Sequence, residues 1–345
     1  MHFHNQKRFL LPSRSLLKVK KPHVFVHTRR QVRETVAADK LDFFRLLGGL
    51  ARARGFDCHL VRNASYNHRD LPSSHHLNVV MGGPPMLARN VMHACPSYIH
   101  GFWYFDELGE RESSSLRLRT FRPGMIAADR ARAFADTVRE RILGEGRTKW
   151  PQPEEGATPL ERDAIVIFGQ ELREGTRQLI YLPTEPLVRT VIEEAAGRTV
   201  YIKPHPRQRP DQLAHLRSFH APERGVHVVD ANLFDLLDAA AFTVSVGSAA
   251  CFEGFLFGKP AILTSRTDFH QNALTARSVT ELRGHLARIE EVQFAHDKFL
   301  TWFLRDGCID PRTPHARDRI DARIVEKGFW PPREEAATER QAAAR

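Results

Sequence analysis

The sequence predicts an α/β protein made of two Rossmann-like domains that face each other across a cleft. Short apolar segments alternate with amphipathic helical segments along the chain, which is typical of parallel sheets covered by helices. The alternation stops once, at a stretch rich in proline, glycine and charge, and then restarts. The length of 345 residues also suits two domains better than one. Ligands of such sheets bind at the carboxyl ends of the strands, so residues just past each strand are the first candidates for a site.

The first domain is predicted over residues 22–146, after a basic lead over residues 1–21. A helix is expected where apolar residues recur at helical spacing, as at Leu41, Phe44 and Leu47. The elements expected in this half are strands at 22–28, 57–61 and 77–81, a helix at 38–54, and an apolar aromatic run at 97–105.

A linker is predicted over residues 147–158, where Pro151, Pro153 and Gly156 lie among charged residues. The second domain is predicted over residues 159–290, followed by helices over 291–333 and a disordered tail over 334–345. The elements expected in the second domain are strands at 164–168, 199–203, 226–229, 242–246 and 261–264, and helices at 185–196, 212–219, 233–239 and 251–257.

The composition limits the cellular location and the kinds of partner that we expect. No run of about 18 consecutive apolar residues is present, and the N-terminal residues lack the apolar stretch of a secretory signal. We expect a cytoplasmic protein, with peripheral contact at the inner face of the membrane as a further option. The net charge of +10 favours anionic partners, but no nucleic-acid-binding motif accompanies it, so nucleic acid is not expected.

Metal ions and cofactors are not expected either. The four cysteines lie far apart and form no Cys-x-x-Cys pair, which predicts reduced thiols rather than a disulfide or metal framework. The eighteen histidines show no ligand spacing typical of a metal site.

The first candidate site is Lys203-Pro204-His205-Pro206, directly after a predicted strand. The two prolines restrict the backbone on both sides of the histidine and so aim its imidazole. An imidazole beside a lysine can donate a hydrogen bond to a phosphate oxygen, or protonate a leaving phosphate. The alternative is a rigid turn that carries a surface histidine.

The second candidate site is the turn around Ser245, Gly247 and Ser248, where a predicted strand leads into a helix. Small residues let the backbone approach a ligand, and a helix N-terminus offers N–H groups to an anion. The alternative is an ordinary turn in which Ser248 caps the helix. Glu253 follows one turn later and could accept both hydroxyls of a ribose, or could simply face solvent.

The order of these motifs resembles the nucleotide-binding half of GT-B glycosyltransferases. The Lys-Pro-His-Pro turn is followed about forty residues later by the small-residue turn and then by Gly258-Lys259-Pro260. Within that fold, residues 164–272 look most like bacterial capsule-polysaccharide transferases of the β-Kdo type, which are related to bacterial sialyl- and polysialyltransferases. Those enzymes use CMP-activated acidic sugars. The resemblance implies that a His-Pro motif and a serine motif hold the nucleotide phosphate, and that a glutamate contacts the ribose; the corresponding residues here are His205, Pro206, Ser248 and Glu253.

The resemblance also implies a reactive carboxylate. The capsule enzymes carry acidic residues after the first strand of this half, where the chain has Glu171 and Glu174. They also carry an acidic-acidic-glycine motif in the N-terminal half, where the chain has Asp106 and Glu107, with the glycine at a shifted position. We rank Glu174 first and Glu107 second. Ordinary surface acids are the alternative for all four, and a retaining or an inverting outcome stays open.

Together these features predict a metal-independent glycosyltransferase. It would move Kdo or another acidic sugar from CMP onto a surface polysaccharide or a lipid-linked acceptor, with His205 and Lys203 meeting the charge of the leaving phosphate. Two alternatives are a sugar-nucleotide epimerase of related fold and a non-catalytic partner in capsule assembly or export.

Overall fold

The computed structural model describes residues 3–4, 20–64, 74–146, 148, 151–170 and 174–330. These residues form two compact units. The first unit contains the described residues up to Ser97, then Gly101–Leu118, and the described residues from Leu304 onward. The second contains Tyr98–His100 and the described part of Arg119–Phe303.

The strands, in chain order, are β1 (Phe3–His4), β2 (His23–Thr28), β3 (Asp57–Arg62), β4 (Leu77–Val80), β5 (Val91–Pro96), β6 (Trp103–Asp106), β7 (Ala164–Phe168), β8 (Val200–Lys203), β9 (Val226–Val228), β10 (Ala240–Ser245), β11 (Ala261–Leu263) and β12 (Leu274–Thr275). The α-helices are α1 (Arg30–Ala37), α2 (Asp42–Ala53), α3 (Ala128–Glu145), α4 (Thr184–Glu193), α5 (Pro210–Arg217), α6 (Leu233–Ala239), α7 (Ala249–Gly254), α8 (Val279–Leu286), α9 (His296–Leu300) and α10 (Ala316–Glu326).

The first unit contains a six-stranded sheet in the order β1-β3-β2-β4-β5-β6. The pairs from β1 to β5 are parallel, and β6 runs antiparallel to β5. The predicted basic lead therefore contributes to the sheet, since Phe3 of β1 lies opposite Cys58 of β3. The predicted helix at 38–54 begins only at Asp42, because Asp39 adopts a positive φ of 56° that separates α1 from α2.

The second unit contains six parallel strands in the order β12-β11-β10-β7-β8-β9. Counted along the chain this is the 3-2-1-4-5-6 order of nucleotide-binding α/β sheets. The order reverses between β7 and β10, and the loops that follow these two strands lie at the topological switch point. The predicted strands of this half are confirmed within two residues at each end, because fully buried parallel strands are continuous apolar runs.

The division into units differs from the predicted boundary at residues 147–158. Helix α3 belongs to the second unit, where its buried residues Ala131, Ala135 and Val138 face α9 and the turn at 255–257. Helix α10 lies in the first unit, where Ile320 and Ile324 join the core. Each helix packs on the unit that covers its apolar face, and sequence proximity does not decide this. The predicted tail at 334–345 lies outside the described residues.

The aromatic run before Asp106 serves the core of the first unit. Trp103 is 7% exposed and stacks on Phe43 of α2, with ring centroids 5.1 Å apart. The described part of the chain contains no helix that is both long and apolar enough to cross a membrane.

A buried ion pair joins the end of α2 to α10 in the first unit. The guanidinium of Arg54 lies 2.7 Å from a carboxylate oxygen of Asp321, and both side chains are about one-tenth exposed or less. The indole Nε1 of Trp330 donates to the other oxygen of Asp321 at 3.0 Å. One carboxylate thus satisfies two buried donors.

We expect Asp321→Ala to lower the free energy of unfolding of the first unit by about 3–5 kcal/mol, because Arg54 and Trp330 lose a shared buried acceptor. Urea unfolding measures the effect. Asp42→Ala is the matched control, since its pair with Arg45 is half exposed and should change stability by less than about 1 kcal/mol. Equal effects of the two substitutions would contradict the assignment.

Candidate functional site

The switch point of the second unit gathers four loops around two glycines. A Cβ on Gly169, just past β7, would lie 3.2 Å from the Lys203 carbonyl oxygen and 3.2 Å from the His205 nitrogen. A Cβ on Gly247, past β10, would lie 2.6 Å from Ser265 Oγ and 3.5 Å from Gln170 Oε1. A larger residue at either position would force its neighbours to shift, and glycine avoids this. The loops after β7, β8, β10 and β11 therefore meet at one point.

Two polar atoms at this point are buried with no hydrogen-bond partner among the described residues: Gln170 Oε1 and Thr267 Oγ1. Thr267 is only 4% exposed, and its methyl group lies 3.4 Å from where a Gly247 Cβ would be. An unsatisfied buried polar atom costs free energy, and such atoms are typical of sites that a polar ligand completes. Neither residue is among the predicted site residues. Gln170 carries no motif, and Thr267 lies in the segment 266–270, which resembles the loop that follows Gly-Lys-Pro in the capsule enzymes.

His205 is half-buried, and hydrogen bonds hold it. Its Nδ1 accepts the Arg207 N–H at 3.0 Å, which places the ring proton on Nε2 as a donor. Gln208 clamps the turn, because its Oε1 accepts the His205 N–H at 3.2 Å and its Nε2 donates to the Gln170 carbonyl at 3.4 Å. Pro206 is exposed. The predicted rigid turn is present, and Gln208 ties it to the loop after β7.

The ammonium of Lys203 occupies a different place from the predicted one. It is 7% exposed, donates to the Ala231 carbonyl at 2.6 Å and lies 3.4 Å from Asp230. Burial lowers the pKa of Lys203, and the nearby Asp230 carboxylate partly opposes this. Lys203 thus ties the end of β8 to the loop after β9, and we assign it a positioning role rather than direct phosphate contact.

The serines of the turn after β10 organise the turn itself. Ser245 Oγ accepts the N–H groups of Gly247 at 3.2 Å and Ser248 at 2.9 Å. Ser248 Oγ accepts the Ala250 N–H at 3.3 Å and so caps α7. This agrees with the alternative interpretation of an ordinary turn in which Ser248 caps the helix. These amides are therefore engaged inside the turn, while the Ser248 hydroxyl still carries its own proton to donate.

Glu253 lies on α7 and is 6% exposed, so it is not a solvent-facing helix residue. The loop after β11 is ordered by its own contacts: the Thr267 carbonyl meets the His270 ring at 2.9 Å, and Asp268 accepts the Tyr98 hydroxyl at 2.8 Å. Arg266 in the same loop is exposed.

The predicted acids fall into three groups. Asp106 is buried, and its two oxygens accept the N–H groups of Leu108, Gly109 and Ser115 at 2.8–3.1 Å as well as the Ser115 hydroxyl at 2.6 Å. This saturated carboxylate organises a loop, and its engaged oxygens argue against a role as a base. Glu107 is exposed.

The remaining two acids follow β7. Glu174 begins a 3-10 helix, but its side chain lies outside the described residues. Glu171 lies wholly outside them. Nothing in the described part of the chain groups three or more metal-ligating side chains into a metal site.

A carboxylate that was not predicted, Glu110, lies at the switch point of the first unit, where β2 and β4 end. Its Oε1 accepts the Gly82 N–H at 2.6 Å, and the Arg29 guanidinium lies against Gly82. Burial raises the pKa of Glu110, while the Gly82 amide, Arg111, Cys95 and Arg29 oppose the shift. A half-buried acid with a raised pKa is typical of functional sites. The sequence signal that could have identified Glu110 is its place as the third acid of Asp-Glu-Leu-Gly-Glu, residues 106–110.

Comparison with known proteins shows the fold. No protein-family profile matches the chain, and no curated protein sequence matches it. Among solved structures, the β-Kdo 2,4 transferase of Thermosulfurimonas dismutans KpsC matches with a TM-score of 0.51 and 16% identity, over 80% of this chain and 88% of that one. The β-Kdo 2,7 transferase of the same protein matches with a TM-score of 0.47 and 13% identity, over 81% and 89%. The UDP-GlcNAc 2-epimerase of Methanocaldococcus jannaschii, in complex with UDP-GlcNAc and UDP, matches with a TM-score of 0.37 and 8% identity, over 88% and 99%.

At these identities the likeness to the 2,4 transferase speaks to the fold alone. The two α/β units with their Rossmann-like sheets are those of a GT-B-like protein, and the predicted fold class is confirmed. Substrates and site residues are taken up below as proposals.

We expect Glu110→Gln to stabilise the first unit at about pH 7, by roughly 0.5–2 kcal/mol. The folded-state pKa lies above the ordinary 4.5, so as pH rises from 4.5 the unfolded state releases the proton first and stability falls. Glutamine keeps the acceptor for the Gly82 N–H and removes this cost. Melting temperatures across pH measure the difference, which should shrink as the pH approaches 4.5.

The matched control is Glu107→Gln, an exposed acid of the same loop, which should change stability by no more than about 0.5 kcal/mol at any pH. A stabilisation by Glu110→Gln that persists unchanged at about pH 4 would show that ionisation is not its cause.

Proposed function

We propose that this protein is a glycosyltransferase that moves an acidic sugar such as Kdo from a CMP-linked donor to a glycan or glycolipid acceptor. The observation that carries the proposal is the switch point of the second unit, where glycines bring four loops together. There Gln170 Oε1 and Thr267 Oγ1 are buried without a hydrogen-bond partner among the residues that the structure describes. Nucleotides bind at this place in sheets of this strand order.

In this proposal, side chains from three loops bind the phosphate of the donor. His205 offers its Nε2–H, Ser248 its hydroxyl and Arg266 its guanidinium. As the bond between the sugar and the phosphate breaks, negative charge grows on the leaving oxygen. His205 donates a hydrogen bond from Nε2–H to that oxygen, and both this bond and Arg266 stabilise the charge. No metal ion is required for this step.

Other predicted residues act indirectly in the proposal. Lys203 and Pro206 hold the His205 turn, and Ser245 and Gly247 shape the turn that presents Ser248. Glu253 remains the candidate for ribose contact, through the small part of its surface that is exposed.

The acceptor hydroxyl requires a base, and Glu110 replaces Asp106 in that role. A carboxyl whose pKa is raised by burial holds a proton more strongly and is a better base near neutral pH. Glu107 is the second candidate in the first unit. Glu174 and Glu171 stay candidates for a carboxylate that attacks the sugar directly, which would give a retaining reaction.

One observation favours a second function, a non-catalytic nucleotide-binding partner in polysaccharide assembly. The amides of Gly247 and Ser248 and the ammonium of Lys203 are all engaged inside the protein, so the phosphate has fewer ligands than the motifs alone suggested. Such a protein would bind CMP and release none from CMP-Kdo.

The first test is ligand-dependent melting of the full chain with CMP, UDP, GDP and TDP. We expect CMP to raise the melting temperature most. Thr267→Val should leave the unliganded protein as stable or more stable, because it removes an orphaned hydroxyl, while weakening CMP about tenfold. Thr137→Val on the exposed part of α3 is the matched control. An equal CMP response in wild type and Thr267→Val would remove the switch point from the proposal.

The second test is turnover of CMP-Kdo with a lipid-linked glycan acceptor, followed as CMP release. His205→Ala should lower turnover about 10²-fold or more, the scale of a preorganised hydrogen-bond donor to a developing charge, with CMP stabilisation retained. His215→Ala is the control, since this histidine is exposed on α5. Near-normal turnover in His205→Ala would mean that the turn is only structural, and CMP binding without any turnover in wild type would favour the non-catalytic function.

A further inference from the structure

An exposed basic and apolar surface lies at the start of the long segment of the second unit, Arg119–Phe303. We name residues 119–132 the basic turn. Met125 sits on a 3-10 turn, Pro123–Met125, and is 82% exposed. Exposed arginines surround it in sequence; they are Arg119, Arg122, Arg130 and Arg132. A large apolar side chain within a cluster of cations suits an anionic and partly apolar partner.

The four arginines of the basic turn have no carboxylate partner in the part of the chain that the structure describes. Arg139, further along α3, shows the usual alternative, since it pairs with Asp136 and with Asp297. The positive charge of the basic turn is therefore not neutralised internally, and it remains available to an external anion.

The exposure of Met125 does not come from a loosely attached turn. Gln271 accepts the Phe121 N–H and donates to the Arg119 carbonyl, both at 2.7 Å. Lys298 donates to the Pro123 carbonyl at 3.0 Å. The Phe121 ring also packs edge-on against Phe299 at 5.1 Å. These contacts hold the turn and present Met125 outward.

The start of α3 adds to the same charge. Its N-cap is Ala127, which has no side-chain acceptor for the first N–H groups. Arg130 and Arg132 then place cations near the positive end of the helix dipole, where only Asp129 opposes them. Cations at that end are unfavourable unless an anion approaches.

A cavity of about 620 Å³ opens beside the basic turn. Ala128, Ala131 and Arg132 of α3 line one side, and Phe257, Phe294 and Lys298 line others. The lining combines apolar side chains with the cations Arg132 and Lys298, while its one carboxylate, Asp297, is paired with Arg139. Such a lining suits a group with an anionic head and an apolar body.

We propose that the basic turn docks onto the surface of a bilayer that contains anionic phospholipid. Met125 enters the interfacial region, and the arginines contact lipid phosphates. A soluble polyanion would use the arginines but would gain nothing from Met125 or from the apolar cavity, which is why a bilayer fits better. The inference does not depend on the proposed catalytic reaction.

The test is co-sedimentation of the full chain with vesicles of phosphatidylcholine alone or with about one-third phosphatidylglycerol. We expect binding only to the anionic vesicles, and weaker binding at higher salt. Arg119→Gln with Arg122→Gln should weaken binding at least about tenfold, and Met125→Ser several-fold, because each arginine and the apolar anchor contribute separately.

Matched controls remove the same groups elsewhere. Arg217→Gln with Arg224→Gln takes two exposed arginines from the second unit, and Leu87→Ser replaces an apolar residue that is 77% exposed. The proposal is overturned by absent binding of the wild type, by equal losses in test and control variants, or by unchanged binding of the test variants. Loss of binding in the arginine pair with none in Met125→Ser, together with full competition by soluble heparin, would mean a polyanion surface instead.

Discussion

The candidate site depends on one steric constraint, the close approach of main chains at the carboxyl ends of β7, β8, β10 and β11. Gly169 lies against the backbone of residues 203–205, and Gly247 lies against Ser265 and Gln170. Parallel strands end at the same edge of a sheet, so any ligand there must fit between loops that are already in contact. A side chain at either glycine would separate these loops. The position of the His205 ring and the burial of Thr267 both follow from this contact.

The charged residues near the two switch points differ in their burial and in their hydrogen-bond partners. Asp106 is buried with every oxygen satisfied by N–H and O–H donors, and it stabilises a loop. Lys203 is buried and held by a carbonyl. Glu110 is half-buried, accepts one short hydrogen bond and has a raised pKa. The free energy of a buried charge depends on its partners. These differences therefore distinguish Asp106 and Lys203, which stabilise the structure, from Glu110, whose carboxylate is suited to proton transfer.

The cations outside the site follow a different rule. Arg139 is paired with acids, whereas the arginines of the basic turn pair with none of the acids in the described part of the chain. The net charge of +10 is therefore not spread evenly among ion pairs. An unneutralised cluster beside an outward methionine suits a surface that is itself anionic. A lipid-linked acceptor would be found at such a surface, so the docking inference and the proposed reaction are compatible although neither requires the other.

The sequence by itself determined the strands of the second unit and the positions of its motifs. The run Ala164–Phe168 is continuously apolar, and Ala240–Ser245 is mostly so, because both faces of the sheet are covered. Polar residues that directly follow such runs must lie at the carboxyl edge of the sheet. Only the tertiary structure decided which side chains are available there. Ser248 is hydrogen-bonded within its own turn, and Lys203 is hydrogen-bonded to the loop after β9. Asp106 accepts hydrogen bonds from residues that follow it within the same loop. Glu110, in contrast, accepts a hydrogen bond from Gly82, and Arg29 lies against the same glycine. Both of these residues are distant from Glu110 in sequence. The units to which α3 and α10 belong were also decided by long-range packing of their apolar faces, because local patterns reveal that a face is apolar but not which surface will cover it.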